Sequence, residues 1–190
     1  MASLIMAILL LAVVLLVPAL AVAQGPDGPE SIQVYLTPDQ ALKEAFPDAD
    51  STRVEVHPLT PDIKARAERK LGWRVEESEV KVHLGYRAGQ RLGYAVIAEQ
   101  VGLYRPITFL VKVGLDGRVE DVWIMVYRES RGGEIKRSRF LSQYEGKGAK
   151  DPIRLNRDII GITGATLSVR AVSAGVKRVV TLIDEIYPQK

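Results

Sequence analysis

Residues 79–127 read EVKVHLGYRAGQRLGYAVIAEQVGLYRPITFLVKVGLDGRVEDVWIMVY, and this stretch decides the fold. Its apolar side chains either alternate with polar ones or form runs rich in β-branched residues, and both patterns are typical of strands. The pair Asp116-Gly117 is a hairpin turn signal. Strands are predicted before and within the stretch, at 52–56, 79–87, 92–98, 107–113 and 119–127. Because no long helix separates the last four, they indicate an antiparallel sheet.

Helices are predicted on both sides of this stretch. Thr37 and Thr60 each precede a proline and open a short helix, and Gly72 ends the second one. Apolar residues recur at spacings of three and four from 169 to 186, with Lys177 off the apolar stripe, which predicts a long amphipathic helix. The predicted fold is therefore α+β: an antiparallel β-sheet with short N-terminal helices and a long C-terminal amphipathic helix packed on it.

The N-terminus carries a targeting pattern. Residues 4–17 are all apolar, and residues 21–23 are the small side chains that a signal peptidase accepts, so cleavage after Ala23 is one reading. The apolar run reaches about 20 residues if its proline is tolerated, and a retained membrane anchor is the other reading. Both readings place the domain outside the cytoplasm, in the periplasm or on the outer face of the membrane. Residues 24–31 are interpreted as a linker, and residues 32–190 as a single domain.

The composition excludes several classes of site. The 190 residues contain no cysteine, which rules out disulfides, thiolate metal sites, iron–sulfur clusters and haem attached through thiols. The formal net charge of +3 is too small for a nucleic-acid binder. His57 and His83 have no companion ligand at metal-binding spacing, so no metal site is predicted. No Gly-x-Ser-x-Gly segment is present, and no catalytic residue is assigned.

Residues 128–157 are irregular and basic, with nine basic and four acidic side chains. Two readings of this segment stay open. It is either a solvated loop region with a short helix near 139–144, or a positive rim around an anionic ligand. Tyr127 ends a strand beside it and Arg128 begins it, so both are candidates to contact such a ligand.

The segment 161–168, GITGATLS, directly precedes the C-terminal helix. A helix start offers unpaired N–H groups and the positive end of the helix dipole. Gly164 and Ala165 leave the backbone approachable. Three hydroxyl side chains lie in the segment: Thr163, Thr166 and Ser168. These features predict a phosphate-binding site, the predicted phosphate seat. A simple helix cap is the alternative explanation for a threonine or serine at this place.

The pattern Thr163-Gly164-Ala165-Thr166-x-Ser168 resembles the flavin-attachment motif of the FMN-binding domain family. That family includes FMN-carrying subunits of the Rnf and Nqr ion-pumping redox complexes and FMN domains of the nitrous-oxide-reductase accessory protein. In the family, a transferase joins the FMN phosphate to the last threonine of the motif through a phosphoester. The resemblance implies FMN on Thr166, with the other motif residues around the phosphate. Residues 127–134 and 140–147 also resemble segments that precede the motif in some members of the family. Within them, Tyr127 is a candidate to stack on the flavin ring, and Arg128 is a candidate to place positive charge near it.

The resemblance covers roughly residues 80–187 and includes one departure. The family usually has an aspartate three residues before the first Ser or Thr of the motif, and Ile160 stands there. Asp158 lies two residues earlier. Three outcomes stay open: FMN is joined to Thr166, FMN binds without a covalent bond, or Asp158 substitutes for the missing carboxylate.

The implied function is electron transfer outside the cytoplasm. The chain would exchange electrons with a membrane or periplasmic redox partner, after a flavin transferase has attached the FMN. Arg128, Arg131 or Arg139 near the ring would favour the reduced anionic flavin and raise its potential. An electron carrier or redox-complex component is favoured over an independent catalyst. The alternative is a non-catalytic binding or assembly module of the same fold, with no FMN or with non-covalent FMN.

Overall fold

The computed structural model describes residues 32–188. The predicted signal peptide or anchor and the predicted linker lie outside these residues and stay predictions. Within residues 32–188, no helix is both long enough and apolar enough to cross a membrane. The helices are α1 Pro38–Ala45, α2 Pro61–Leu71, α3 Ser138–Leu141 and α4 Thr166–Ile186. The strands are β1 Gln33–Val34, β2 Ser51–Pro58, β3 Glu79–Arg87, β4 Gln90–Val101, β5 Pro106–Val113 and β6 Val119–Tyr127.

The strands form one antiparallel sheet in the order β1-β6-β5-β4-β3-β2. This sheet, with α4 packed on it, confirms the predicted α+β fold. Strands β3 and β6 have the predicted bounds, whereas β4 extends the predicted run 92–98 at both ends. The sequence pattern does not predict β1, because two residues are too few to show alternation. This short strand pairs with the end of β6, where Gln33 lies opposite Tyr127.

The two N-terminal helices begin and end where their terminal residues predict. The Thr37 hydroxyl accepts from the Gln40 N–H, and the Gln40 side chain accepts from the Thr37 N–H, which completes a capping box at α1. Thr60 caps α2 by accepting from the Ile63 N–H. Gly72 ends α2 with a φ of 82°, a left-handed conformation that glycine adopts at little cost.

Helix α4 covers one face of the sheet, and α1 covers part of the other. On the α4 side, Val96 of β4 and Phe109 of β5 are buried, and Gly175 of α4 lies directly on the Phe109 ring. On the α1 side, Phe46 packs in a cluster with Leu110. Burial of both faces explains why β5 is a continuous apolar run rather than an alternating one.

Lys177 is an exception to the amphipathic pattern of α4. The periodicity places it off the apolar stripe, yet the side chain is buried. Its ammonium group donates to the carbonyl oxygens of Ala149 and Asp151, each at 2.6 Å. The loop between α3 and α4 therefore covers this side of the helix as well, which helical periodicity alone cannot reveal.

The two ends of the sheet carry different features. The motif end carries Tyr127 at the end of β6, the β4–β5 turn at 102–105, and the start of α4, whose Ser168 contacts Tyr127. The opposite end carries the β3–β4 and β5–β6 turns. Helix α4 crosses the sheet toward β2, where the Tyr187 hydroxyl contacts His57 and Glu55. The predicted phosphate seat thus lies at the motif end.

Candidate functional site

The predicted motif lies in a tight turn that leads directly into α4. The Ala165 N–H donates to the Ile162 carbonyl at 3.0 Å and closes this turn. Gly164 has a φ of 82°, a left-handed value that other residues adopt only at a cost. Ala165 is buried, whereas Thr163, Gly164 and Thr166 are exposed. The turn therefore presents three of the predicted residues at the surface and anchors the fourth.

Helix α4 begins without a capping side chain, unlike α1 and α2. Ala165 occupies the cap position and has no side-chain oxygen to accept from the first-turn N–H groups. The alternative reading, a simple threonine or serine cap, is therefore wrong. The Thr166 hydroxyl has no hydrogen-bond partner within residues 32–188. The start of this 21-residue helix, with its positive dipole end, is available to a phosphate.

A buried hydroxyl pair supports the motif from the sheet. The Tyr127 hydroxyl lies 2.9 Å from the Ser168 hydroxyl and donates to the Arg131 carbonyl, so Ser168 is the donor to Tyr127. Burial raises the pKa of Tyr127 above its usual value, which keeps this hydroxyl protonated. Gly132 lies so close that a Cβ there would come within 2.7 Å of the Tyr127 oxygen. Tyr127 and Ser168 thus tie the end of β6 to the first turn of α4.

Replacing Tyr127 with phenylalanine is expected to destabilise the protein by about 1–3 kcal/mol, because the buried Ser168 hydroxyl and Arg131 carbonyl both lose a partner. Tyr144→Phe is the matched control, since Tyr144 is equally buried and lies 2.9 Å from the Ser173 hydroxyl, further along α4. Urea unfolding measures stability, and bound flavin is measured at the same time. Both variants should lose stability, but only Tyr127→Phe should also lose flavin. An unfolding midpoint unchanged by Tyr127→Phe contradicts the role of the pair.

A cavity of about 400 Å³ lies beside the motif turn. Its size falls within the range of small-molecule sites. Eight residues line it: Glu134, Arg137, Arg139, Phe140, Gln143, Ile160, Gly161 and Ile162. Two of the lining side chains are arginines, which supports the reading of residues 128–157 as a positive rim. The apolar side chains of the same segment, such as Ile135 and Leu141, are buried.

Gln143 holds the backbone that precedes the motif. Its amide oxygen accepts from the Ile160 N–H at 2.7 Å, and its amide nitrogen donates to the Ile160 carbonyl at 3.2 Å. The Ile160 side chain is 78% exposed. This residue therefore has a fixed backbone and an apolar side chain directed to the surface beside the cavity.

Asp158 is engaged within its own loop, and its substitution for the missing aspartate stays a prediction. Its carboxylate accepts from the Ile153 N–H at 3.1 Å and the Arg154 N–H at 2.8 Å, and it lies 3.1 Å from the Lys147 ammonium. Burial acts to raise the pKa of Asp158, but the Arg154 N–H, the Lys147 ammonium and the Ile153 N–H outweigh it and hold the pKa below its usual value. These contacts stabilise the loop between α3 and α4.

The structure separates the three arginines that were expected near a flavin ring. Arg139 lines the cavity. Arg131 is exposed close to the motif, and its carbonyl oxygen accepts from the Tyr127 hydroxyl. Arg128 is directed to β5 instead, donating to the Pro106 carbonyl at 2.9 Å and the Thr108 hydroxyl at 2.8 Å. The cofactor contact predicted for Arg128 stays a prediction, and its guanidinium is committed to these groups.

Sequence reasoning did not assign a site role to Arg137, Phe140 or Gln143. They lie in a segment of short helical turns between residues 133 and 144, where no periodicity marks which side chains point inward. The only sequence signal was the resemblance of residues 140–147 to segments of the FMN-binding domain family. The structure brings this segment next to the motif turn.

Comparisons with known proteins give the same family. The sequence profile of the FMN-binding domain family matches residues 102–181. This range contains β5, β6, the cavity residues and the motif. It ends inside α4.

Two relatives belong to redox complexes. One, from Clostridium ljungdahlii, is a subunit of the proton-translocating ferredoxin:NAD(+) oxidoreductase complex and is 32% identical over 155 residues, covering 77% of this chain and 77% of that protein. The other, from Acetobacterium woodii, is a subunit of the Na(+)-translocating ferredoxin:NAD(+) oxidoreductase complex and is 26% identical over 141 residues, covering 65% and 68%. A crystal structure of NqrC from Shewanella oneidensis has a TM-score of 0.50 at 14% identity, covering 73% of this chain and 83% of that one. At such low identity the likeness concerns the fold alone.

Proposed function

This chain belongs to the FMN-binding domain family, and we propose that it is an exported electron-transfer protein that carries FMN on Thr166. The observation that carries the proposal is the exposed Thr166 hydroxyl at the uncapped start of α4. A phosphate joined to this oxygen would be stabilised by the first-turn N–H groups and the positive end of the helix dipole. The neighbouring cavity gives room for a ring system.

A phosphoester at Thr166 requires an activated donor. The hydroxyl oxygen attacks the phosphorus of an FMN phosphoanhydride, the anhydride bond breaks, and the other phosphate leaves with the electron pair. The hydroxyl proton passes to a base. A flavin transferase would supply that base and the donor. The exposure of Thr166 supports this step, because a separate enzyme can reach the hydroxyl.

The residues around the cavity would set the position and potential of the flavin. Bound FMN would supply one- and two-electron transfer. Arg137 and Arg139 place positive charge at the cavity, which favours the reduced anionic flavin and raises its potential. The exposed Ile160 side chain offers apolar surface that the ring would cover.

The proposed partner is a membrane redox complex. Support comes from the two relatives, whose names describe subunits of ion-translocating ferredoxin:NAD(+) oxidoreductase complexes. Support for export comes from the apolar N-terminal residues 4–17, followed by residues 21–23 as a candidate cleavage site. The segment is either cleaved after Ala23 or retained as an anchor.

Export of the full chain together with a flavin transferase tests the proposal. The purified protein should absorb near the flavin maximum of about 450 nm, because the flavin ring itself absorbs there. Its intact mass should exceed the polypeptide mass by FMN less one water. A colourless protein with the bare polypeptide mass, from a host in which the transferase modifies a known substrate, would refute the covalent form.

The second candidate is a module with the same fold and no covalent flavin. Ile160 favours it, because this residue stands where the family usually has an aspartate and Asp158 is engaged elsewhere. Titration of the bare protein with FMN separates the two forms of this second candidate. Quenching of flavin fluorescence at micromolar protein indicates a non-covalent FMN site, and unchanged fluorescence indicates an assembly module.

A further inference from the structure

The β4–β5 turn carries three exposed large apolar side chains within four residues at the motif end. Tyr104 is 77% exposed and Leu103 is 50% exposed, and Val101, the last residue of β4, is exposed as well. Single apolar residues at a surface are common, but a contiguous apolar patch marks a surface that contacts something else. Val101, Leu103 and Tyr104 together form the apolar tip of the domain.

A buried glutamate holds the apolar tip in place. The Glu129 carboxylate is buried, and one of its oxygens accepts from the Tyr104 N–H at 2.8 Å and the Arg105 N–H at 3.0 Å. The Gly102 N–H closes the turn by donating to the Arg105 carbonyl at 2.9 Å. A buried carboxylate is unfavourable unless such bonds satisfy it. The turn is thus held in one conformation that keeps its apolar side chains directed outward.

The chain enters the domain at this same end. Gln33, the first residue of β1, pairs with Tyr127, the last residue of β6. Tyr127 in turn contacts Ser168 of the motif, and Glu129, which holds the apolar tip, follows two residues later. The segment that precedes β1 therefore leaves the domain beside both the motif and the apolar tip.

The preceding segment is short compared with the sheet. Only eight residues, 24–31, separate the apolar segment 4–23 from the domain. They reach at most about 28 Å when fully extended, and a flexible chain of this length averages about 16 Å end to end. Strand β6 has nine residues and is about 30 Å long. If residues 4–23 lie in a bilayer, the motif end is therefore held near the membrane and the opposite end away from it.

Charge also favours a membrane contact at the motif end. Four arginines are exposed around the motif: Arg131, Arg137, Arg139 and Arg170. Exposed arginines beside apolar side chains fit a bilayer with anionic headgroups, because the cations meet the headgroups while the apolar groups enter the interface.

We propose that the motif end of the domain rests on an anionic membrane surface, with residues 4–23 retained as the anchor, the apolar tip inserted in the bilayer interface and the exposed arginines against the lipid headgroups. A flavin on Thr166 would then lie next to the bilayer, within reach of a redox partner in the membrane. The inference extends the proposed function, but the orientation itself requires no flavin.

Depth-dependent fluorescence quenching of the full chain in vesicles tests this orientation. The chain has no cysteine, so Leu103→Cys and Leu115→Cys each give one labelling site. They form a matched pair, because Leu115 is 49% exposed and lies in the β5–β6 turn at the opposite end of the sheet. Each variant, labelled with bimane, is reconstituted in phosphatidylcholine–phosphatidylglycerol vesicles that contain nitroxide lipids. Tyr104→Cys serves as a second site on the apolar tip.

The label at Leu103 should be quenched several-fold more than the label at Leu115, and Tyr104 should follow Leu103. Quenching at Leu103 should weaken when phosphatidylglycerol is left out. Equal quenching at the two leucines, or stronger quenching at Leu115, would overturn the proposal. So would an exported chain whose intact mass lacks residues 1–23. Because the quenching needs neither export nor FMN, it tests the orientation independently of the flavin, whose attachment is measured on the protein exported with the transferase.

Discussion

Replacing Thr166 with alanine is expected to leave the exported protein without any FMN adduct. The Thr166 hydroxyl is exposed, has no hydrogen-bond partner within residues 32–188, and lies at the start of α4, where the helix dipole favours a phosphate. The alanine variant should fold normally, because the first helical turn tolerates alanine and no contact is lost. Intact mass and absorbance after export with the transferase measure the adduct.

Two matched variants show which oxygen is used. Thr166→Ser retains a hydroxyl at the same place and should retain a measurable adduct. Thr163→Ala removes the other exposed hydroxyl of the turn, three residues away, and should leave the adduct in place. The site assignment is refuted by an adduct on the Thr166→Ala protein, or by its loss from Thr163→Ala alone. Ser168 is buried against Tyr127 and is not a competing acceptor.

Replacing Gly175 with alanine is expected to destabilise the fold by about 1–3 kcal/mol, the usual cost of overpacking a core. In an exposed helix the same change stabilises by about 1 kcal/mol, because glycine is a poor helix former. At Gly175 we expect the free energy of unfolding to fall instead, because an added Cβ would clash with a carbon of the buried Phe109 ring. Urea unfolding of the variant measures the change.

A rescue variant separates this clash from other causes. Phe109→Leu removes the ring, so adding Gly175→Ala in that background should cost much less than in the parent. Ala174→Gly, at the half-buried neighbouring position, should cost about 1 kcal/mol from helix propensity alone. A higher unfolding midpoint for Gly175→Ala would show that α4 is not packed on β5 at this point.

Local patterns in the sequence predict most of the secondary structure. Thr37, Thr60 and Gly72 mark the ends of α1 and α2 because caps depend on residues only three or four positions apart. The alternation in 79–87 and the run in 119–127 match β3 and β6, since a side chain's face in a strand depends on its own position. Strand β1 is missed because its two residues gain their structure only from pairing with β6.

The candidate site also combines features that local sequence predicts with features that depend on tertiary packing. The sequence by itself determined the motif at 163–168 and its place before a helix, because the turn and the helix start are built from neighbouring residues. Only the tertiary structure decided that Tyr127 bonds Ser168, 41 residues away, and that Gln143 holds Ile160. It also directed Arg128 to β5 instead of the cavity. Such contacts depend on which distant segments pack together, and no local pattern of side chains encodes that packing.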